Sequence, residues 1–312
     1  MKSNAVETFI PAYLHLNETG ELARRAALAL ERLAACTGCA WQCQVNRLSG
    51  ELGKCKTGPR ARVSSYFPHH GEENPLRGRR GSGTIFFSRC NLSCQFCQNA
   101  DISQTSAGDE VDAYELAGMM LELQEVGCHN INLVSPSHVV AQILAGVALA
   151  AQAGLRLPLV YNSGGYDSLC TLQLLDGVVD IYMPDMKYAS EANALRYSKI
   201  PDYPSHNQAA VREMHRQVGD LQVEGGLAFR GLLVRHLLLP TGLAGTAVII
   251  RFLAEEISQN TYLNLMDQYR PAFQAHLYPE LNRGVTREEF REAVQLAHAA
   301  GLFRLDHAIF GR

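Results

Sequence analysis

The sequence predicts an α/β fold, namely a partial (β/α)6 TIM-type barrel, open on one side, behind a cysteine-rich N-terminal extension. From residue 84 onward, six short runs of β-branched or aromatic residues alternate with stretches of helical periodicity. This alternation is typical of a parallel sheet with right-handed crossovers, and six units are too few for the closed eight-stranded barrel. A chain of 312 residues with 47% hydrophobic content is long enough to bury such a core.

The predicted elements follow one another in a simple order. Residues 20–35 repeat apolar side chains at helical spacing and predict a helix, whereas residues 36–83, rich in Gly, Pro, Arg and Cys, predict a loop-rich region. The helix after the first strand starts with a capping box of Asp112 and Glu115, and the last helix begins at Thr286. The predicted strands are TIFFS (84–88), NINLV (130–134), PLVYN (158–162), VDIYM (179–183), LLVRHLLL (232–239) and YLNLM (262–266).

These elements divide the chain into two predicted domains. Residues 1–75 form a helical and cysteine-rich extension with a metal or iron–sulfur site, and residues 76–312 form the core barrel with a C-terminal helix. In parallel barrels the chemistry takes place on the loops at the C-terminal ends of the strands. Here those loops carry thiols, hydroxyls, amides and a lysine, which predicts a site on this rim.

Composition narrows the classes of function. The net charge of −3 gives no electrostatic argument for a nucleic-acid or an anionic-membrane partner, and we expect neither. The N-terminal segment lacks the apolar stretch of a secretory signal, and no run reaches the length of a membrane span, so we expect a cytoplasmic protein. In a reducing compartment, nine cysteines favour metal, cluster or catalytic roles over disulfides.

The stretch FFSRCNLSCQFCQN (86–99) places Cys90, Cys94 and Cys97 on one loop directly after the first predicted strand. Three thiolates are one too few for a closed four-coordinate metal site. The usual ligand set of an iron–sulfur cluster is four cysteines, so three would leave one iron free for an outside molecule. The alternative is a zinc site completed by a distant His or Cys.

This loop resembles the signature of radical S-adenosylmethionine enzymes in its C-x3-C-x2-C spacing, in the aromatic Phe96 before the third cysteine, and in its place after strand one. The resemblance covers roughly residues 84–270 and implies the partial (β/α)6 barrel of that superfamily. It implies that Cys90, Cys94 and Cys97 bind a [4Fe–4S] cluster whose fourth iron is chelated by S-adenosylmethionine. Reductive cleavage of this cosubstrate would yield a 5′-deoxyadenosyl radical that abstracts hydrogen from an unknown substrate.

Within that superfamily the chain resembles an uncharacterised branch of the activating enzymes of pyruvate formate-lyase type, which are oxidoreductases. CQFCQN implies a role for Asn99, and IYMPDMKY implies roles for Asp185 and Lys187. LLVRHLLLPTGLAG corresponds to the family's fifth strand and implies roles for Arg235 and His236. The resemblance therefore makes a glycyl-radical enzyme one candidate substrate, beside other proteins and small molecules.

One segment departs from the family pattern. Where the family has Gly-Gly-Glu-Pro after the second strand, this chain has Val134-Ser135-Pro136-Ser137. We expect Ser135 and Ser137 to accept hydrogen bonds from the cosubstrate's ammonium in place of the missing carboxylate. Asn162, after the third strand, is a further candidate for binding the cosubstrate, and a simple turn is the alternative.

Structural interpretations compete with the functional ones at other positions. Asp185 and Lys187 can form an ordinary ion pair at a strand end, although Lys187 can equally bind a carboxylate or ribose hydroxyls. His236 lies within an apolar strand, which favours a buried and hydrogen-bonded core histidine. Tyr269 and Arg270 follow the sixth strand and are candidates for contact with the adenosyl group.

A second cysteine group lies in the extension, in CTGCAWQCQVNRLSGELGKC. Cys36, Cys39, Cys43 and Cys55 suit either a structural zinc or a fully ligated second iron–sulfur cluster. Zinc would stabilise a region that has little core of its own, whereas a cluster would relay electrons. Four free thiols are the least favoured interpretation because such a group is prone to oxidation.

The implied chemistry requires a low-potential electron donor of the flavodoxin or ferredoxin type. The basic residues Arg77, Arg79 and Arg80 precede strand one and are interpreted as a solvated loop, as a docking site for that donor, or as partners of an anionic cluster.

Two other classes of protein compete with the radical enzyme as interpretations of the sequence. A metal-dependent hydrolase would need more His, Asp and Glu at strand ends, and an iron–sulfur electron carrier or zinc-stapled binding module would lack chemistry on the cosubstrate.

Overall fold

The computed structural model describes residues 9–306. Nine strands in this range form one mixed sheet. Six of them, β2, β4, β5, β6, β8 and β9 in the numbering below, pair in parallel and in chain order. The strands are β1 (Ala61–His69), β2 (Ser82–Phe87), β3 (Asp109–Val111), β4 (Ile131–Val134), β5 (Leu159–Ser163), β6 (Ile181–Pro184), β7 (Gln222–Glu224), β8 (Leu227–Leu237) and β9 (Tyr262–Met266).

The six parallel strands are those that the sequence predicts. Their C-terminal ends are in register, since Val134 pairs with Asn162 and Asn162 pairs with Met183. The loops that follow these strands therefore meet at one edge of the sheet, as a parallel arrangement requires. Closure of this sheet into a partial barrel stays a prediction.

Eleven α-helices lie in the described range, most of them between successive parallel strands. None of the helices in residues 9–306 has the length and apolarity that a membrane span requires. The helices are α1 (Tyr13–Glu18), α2 (Glu21–Glu31), α3 (Asn74–Arg77), α4 (Ala100–Ser103), α5 (Ala113–Glu125), α6 (Val140–Gln152), α7 (Leu169–Leu175), α8 (Glu191–Ser198), α9 (Tyr203–Val218), α10 (Thr246–Phe252) and α11 (Arg287–Ala299).

The two predicted helix starts are confirmed by their hydrogen bonds. Asp112 accepts from the backbone N–H of Glu115 at 3.0 Å, and the Glu115 carboxylate accepts from the backbone N–H of Asp112 at 2.7 Å. Thr286 and Glu289 form the same reciprocal pair at the start of α11. Each box satisfies N–H groups that have no partner within the helix, which fixes the first turn.

The interpretation of residues 36–83 as loop-rich misses β1. This strand pairs antiparallel with β2 along most of its length and with β3 only at Ala61–Val63. The sequence of β1 contains two serines and a proline, which are not typical of strands. Pro68 cannot donate a backbone hydrogen bond and is tolerated only where one side of the strand is free. Beyond Val63 that free side exists, and the strand is half-exposed there.

The extension packs tightly on the rest of the chain. Leu22, Ala26 and Ala29 of α2 belong to the same buried cluster as Val140 and Leu144 of α6. The pairing of β1 with β2 also joins residues on either side of the predicted boundary at 75/76. The division into two domains stays a prediction.

Arg79 and Arg80 lie at the opposite end of β2 from the three-cysteine loop. Both precede the first residue of β2, whereas Cys90 follows its last residue. A strand of this length spans about 20 Å. Arg77 instead lines a cavity that Asn99, two residues after Cys97, also lines. The interpretations of these three arginines stay predictions.

Candidate functional site

The three-cysteine loop starts where β2 ends, at the edge of the sheet where the parallel strands finish. Arg89 at its start has φ +66°, a conformation that non-glycine residues rarely adopt and that clusters at functional sites. Cys90, Cys94 and Cys97 all line one cavity of about 260 Å³. The sequence thus brings three thiols to the wall of an accessible space.

Each of the three sulfurs has a hydrogen-bonding neighbour. The backbone N–H of Leu92 donates to Cys90 Sγ at 3.4 Å, and the Ser198 hydroxyl donates to Cys94 Sγ at 3.0 Å. The Ser103 hydroxyl lies 3.1 Å from Cys97 Sγ. Such contacts favour thiolate and tune a bound metal or cluster. No local sequence pattern marks Ser198 as a contact of this loop, because it lies 104 residues from its cysteine.

Burial keeps the Cys90 and Cys94 thiols protonated unless a cation or metal is present. It raises the pKa of Cys90 to about 12 and raises the pKa of Cys94 as well, although the ammonium of Lys187 opposes the latter shift. A coordinating metal deprotonates a thiol outright. The loop therefore fits a cationic metal centre, since the donors at sulfur and the nearby lysine all favour thiolate.

Four of the predicted cosubstrate-binding residues share this cavity with the cysteines. Ser135, Asn162, Asp185 and Lys187 all line it. Backbone hydrogen bonds continue past the strand ends and hold these loops together, from the Ser135 N–H to the Asn162 carbonyl at 2.9 Å and from the Asp185 N–H to the Ser163 carbonyl at 2.9 Å. Ser135 has φ +58°, a second strained position at this edge.

Asp185 is the centre of a buried charge network. Its carboxylate lies 2.5 Å from Lys187 Nζ and 2.8 Å from Arg235 Nε. Burial alone would raise the pKa of Asp185, but Arg235 and Lys187 overcome that effect and lower the pKa to about 2. The ion pair expected as the structural alternative is present, and all three side chains also line the cavity. An ion pair and a role in binding are therefore compatible here.

The remaining predicted cosubstrate-binding residues, Phe96, Asn99 and Ser137, lie in two places. Phe96 and Asn99 line the cavity, and Phe96 also packs edge-on against Tyr269, with ring centroids 5.7 Å apart. Ser137 does not reach the cavity, because it is buried behind β4 beside the N-terminal segment, where it lines a separate narrow crevice. A residue two positions after a strand end can turn to either side of the sheet, so its position did not follow from sequence spacing.

His236 is a core histidine. It is fully buried, and its ring nitrogens bond to the Met186 carbonyl at 2.6 Å and to the Thr246 hydroxyl at 2.9 Å. Burial lowers the pKa of His236 to about 4, so the ring is neutral at physiological pH. Tyr269 is buried too and donates to the Leu281 carbonyl, whereas Arg270 is exposed.

A second and larger cavity, of about 520 Å³, adjoins the first. Asn99, Asn162 and Arg235 line both cavities, so the two spaces meet at these residues. The second cavity is also lined by a segment with the sequence HHGEEN, at positions 69–74. From the sequence, His69 and His70 in this segment are interpreted as residues of a surface loop, with a metal site as the alternative. The glutamates beside them, Glu72 and Glu73, carried no prediction.

The four N-terminal cysteines gather around a narrow crevice of about 10 Å³. A Cβ atom at Gly53 would lie 2.9 Å from Cys43 Sγ, so only glycine allows this close approach. Buried Arg47 donates to Cys36 Sγ at 3.8 Å and to the His138 carbonyl at 2.8 Å. Within residues 9–306, no three or more His, Cys, Asp or Glu side chains converge on a position for a single metal ion. The cysteines that border the crevice are Cys36, Cys39, Cys43 and Cys55.

Trp41 links this group to the three-cysteine loop. Its indole N–H donates to the Asn91 carbonyl at 2.7 Å, next to Cys90. The Asn91 side chain donates in turn to the Tyr166 carbonyl at 2.8 Å, and Tyr166 packs edge-on against Trp41. The two cysteine groups therefore share one hydrogen-bonded wall.

A protein of known sequence resembles most of this chain. The uncharacterized protein MJ0674 of Methanocaldococcus jannaschii is 31% identical over 274 residues, which cover 86% of this chain and 75% of the archaeal protein. The chain belongs to the family of that protein. No protein-family model matches the chain.

Three solved structures show a more distant likeness to this family member. SuiB of Streptococcus suis, bound to S-adenosylmethionine, is 9% identical with a TM-score of 0.48, over 73% of this chain and 52% of SuiB. A radical SAM methyltransferase of Sphaerobacter thermophilus is 16% identical with a TM-score of 0.47, over 70% of this chain and 64% of the methyltransferase. HydG, a maturase of the [FeFe]-hydrogenase, is 12% identical with a TM-score of 0.47, over 68% of this chain and 47% of HydG. The chain thus spans less than two thirds of each of these proteins.

Proposed function

We propose that this protein is a radical S-adenosylmethionine enzyme. Cys90, Cys94 and Cys97 would hold a [4Fe–4S] cluster, and S-adenosylmethionine would bind in the adjoining cavity. The observation that carries the proposal is the convergence of three thiols, each with a hydrogen-bonding neighbour at sulfur, on a cavity that polar side chains also line. When bound, such a cluster supplies one electron at low potential to the sulfonium, whose C–S bond breaks to give methionine and a 5′-deoxyadenosyl radical that takes a hydrogen atom from the substrate.

The residues of the cavity have distinct roles in this proposal. Lys187 makes one charged contact, with Asp185, and its ammonium has two further N–H donors for the carboxylate or ribose hydroxyls of the cosubstrate. Asp185 orients both Lys187 and Arg235. The Asn162 amide and the Ser135 hydroxyl supply neutral hydrogen bonds on the same wall, and Asn99 borders both cavities.

The surroundings of the cysteines suit a reaction from which water must be excluded. Leu92, Phe96, Tyr188, Tyr203 and Tyr269 form a buried cluster beside the loop. An apolar surface there strengthens the electrostatic interactions inside the cavity and limits side reactions of a radical. The Tyr188 hydroxyl lies 2.7 Å from the hydroxyl of Ser198, the residue that donates to Cys94, and so helps to hold that donor in place.

The finer points of the proposal come from the sequence resemblance. The chain would be a partial barrel of the pyruvate formate-lyase-activating-like branch, acting in the cytoplasm on a protein or small molecule, with a glycyl-radical enzyme as one candidate. A flavodoxin- or ferredoxin-type protein would supply the electron. The N-terminal Cys36, Cys39, Cys43 and Cys55 would hold a zinc ion or a second cluster that stabilises the extension.

Anaerobic reconstitution with iron and sulfide tests the proposal. We expect iron and acid-labile sulfide in the protein, a cluster absorption band that changes when S-adenosylmethionine is added, and 5′-deoxyadenosine when a strong reductant is supplied. An iron-replete protein that fails to cleave the cosubstrate would instead be an electron carrier. A colourless protein with zinc at both cysteine groups would be a binding module.

A further inference from the structure

The larger cavity carries more negative than positive charge. It is lined by four carboxylates, two guanidiniums and one imidazole, which gives a net negative lining when the histidine is neutral. A concave site with one sign of charge concentrates ligands of the opposite sign. The acidic residues are Glu72, Glu73, Asp267 and Asp306, and the basic residues are Arg77, Arg235 and His69.

Glu73 holds an unused acceptor in this cavity. The residue is only 6% exposed, and its Oε1 accepts from Asn264 Nδ2 at 3.0 Å and lies 3.7 Å from an Arg235 nitrogen. Its Oε2 is buried and has no hydrogen-bond partner among the described residues. A buried carboxylate oxygen without a donor is costly, and such a group in a native protein needs an explanation. A ligand donor in the cavity supplies one.

The neighbouring glutamate is paired with a histidine and also contacts the Glu73 carboxyl, whose pKa is raised by burial. A cation in the cavity would favour the ionised form of Glu73. Glu72 Oε1 lies 2.8 Å from His69 Nδ1, whose pKa is raised by this contact. Arg235 is shared between Glu73 and Asp185, and it is closer to Asp185. The guanidinium that lies near Glu73 is therefore mainly engaged by Asp185.

A second buried side chain without a partner lies on a strand that borders the cavities. Asn132 is fully buried on β4, and neither its amide nitrogen nor its oxygen has a partner among the described residues. Side chains two residues apart on a strand share a face, so Asn132 lies on the face of Val134, which lines both cavities. Asn132 itself lines neither cavity, so the ligand site is argued from Glu73.

We propose that the larger cavity binds the substrate through a protonated amine or guanidinium group, whose N–H donates to Glu73 Oε2. This proposal rests on the radical function proposed above, because it assigns the smaller cavity to the cosubstrate and the larger one to the molecule that loses hydrogen. The shared residues Asn99, Asn162 and Arg235 form the passage between them. The ammonium of S-adenosylmethionine is the other source of such a cation.

Calorimetric titration of the full chain with agmatine, which carries both an amine and a guanidinium, tests the proposal. We expect agmatine to bind and the neutral 1,4-butanediol not to bind. Glu73→Gln should weaken agmatine binding by about tenfold or more, the usual loss for a charge-assisted hydrogen bond. Asp267→Asn, at an exposed position on the cavity wall, should weaken it about twofold to threefold and folds normally even if the buried variant does not.

Glu288→Gln is the matched control, because Glu288 is an exposed glutamate on α11 and its loss should leave binding unchanged. Equal binding of the diol, no binding of agmatine, or unchanged binding in both cavity variants would overturn the proposal. So would a Glu73→Gln protein that binds agmatine normally but needs more S-adenosylmethionine for cleavage, since the carboxylate would then serve the cosubstrate.

The outcome is separable from that of the proposed function. If the protein binds agmatine in a Glu73-dependent way but never cleaves S-adenosylmethionine, the cation site is supported and the radical reaction is contradicted. If the protein cleaves S-adenosylmethionine but does not bind agmatine, the radical reaction is supported and the cation site is contradicted.

Discussion

The two cysteine groups of this protein differ in number and in access, and the difference indicates different functions. The three thiols of the loop after β2 open onto a cavity of about 260 Å³, whereas the four N-terminal thiols close around a crevice of about 10 Å³. A metal centre with a complete protein ligand set has no position for an outside molecule, and one with an incomplete set does. The loop is therefore suited to chemistry, and the N-terminal group to stability.

The local backbone is strained at both groups, so strain alone does not distinguish them. Arg89 precedes the loop cysteines with φ +66°, and Gln42 and Gln44 flank Cys43 with φ +43° and +56°. Each such residue costs about 1–3 kcal/mol and persists only where its surroundings demand it. What distinguishes the groups is the space beside them, since the loop thiols line a cavity of about 260 Å³ and the N-terminal thiols a crevice of about 10 Å³.

The largest expected effect is loss of all cosubstrate cleavage when a loop cysteine is replaced. Cys94→Ser should remove iron from the loop and lower 5′-deoxyadenosine formation by more than about 100-fold, because even residues behind a metal ligand affect activity by 10–100-fold. Cys170→Ser is the matched control, since Cys170 lies outside both cysteine groups. Liquid chromatography of 5′-deoxyadenosine and iron analysis measure the result. Cleavage at the original rate in Cys94→Ser would remove the distinction between the two groups.

Replacement of an N-terminal cysteine should act on stability instead. Cys39→Ser should cost about 5 kcal/mol and lower the unfolding midpoint by roughly 10 °C, because a bound structural metal contributes directly to folding. Cys128→Ser is a suitable control, since Cys128 is similarly buried but stands alone. Differential scanning calorimetry of the two variants gives the comparison. Equal unfolding midpoints of the two variants would mean that the N-terminal thiols bind neither a metal ion nor a cluster.

The wall that faces the loop cysteines has its own pH-dependent stability. Asp185→Asn should cost about 3 kcal/mol at pH 7, because Lys187 and Arg235 lose the carboxylate that pairs with both. The pKa of Asp185 in the folded protein, about 2, is below the ordinary value of 3.8. Its stabilisation is therefore complete above about pH 4 and is lost as the pH falls towards 2.

Urea unfolding of wild type and Asp185→Asn at pH 7 and near pH 2.5 tests this expectation. The difference between the two proteins should shrink at the lower pH, because there the unfolded wild-type chain binds a proton at Asp185 that the folded protein largely excludes. A difference that stays constant would show that the network does not hold an ionised Asp185.

Much of this comparison could be predicted from sequence, and the failures have physical reasons. The three-cysteine loop, Asp185 and Lys187 follow directly after predicted strands, so chain order alone brings them to one edge. Ser198 reaches Cys94, and Glu73 reaches the larger cavity, from segments distant in sequence, and no local pattern marks such contacts. Ser137 lines a separate crevice, because spacing along a loop does not determine which way a side chain turns.

The smallest expected effect tests whether the two groups act together. Trp41→Phe removes the indole N–H bond to the Asn91 carbonyl but keeps an aromatic ring against Tyr166. We expect a loss of about 1 kcal/mol, the usual worth of one hydrogen bond, and an unchanged rate of cluster reduction in stopped-flow absorbance. If the N-terminal group relayed electrons to the loop, this change in the shared wall would slow reduction while leaving stability nearly intact. A modest loss of stability with a normal rate of reduction is the result expected of a purely structural N-terminal group. Such a group affects the loop through packing alone, and phenylalanine largely preserves that packing.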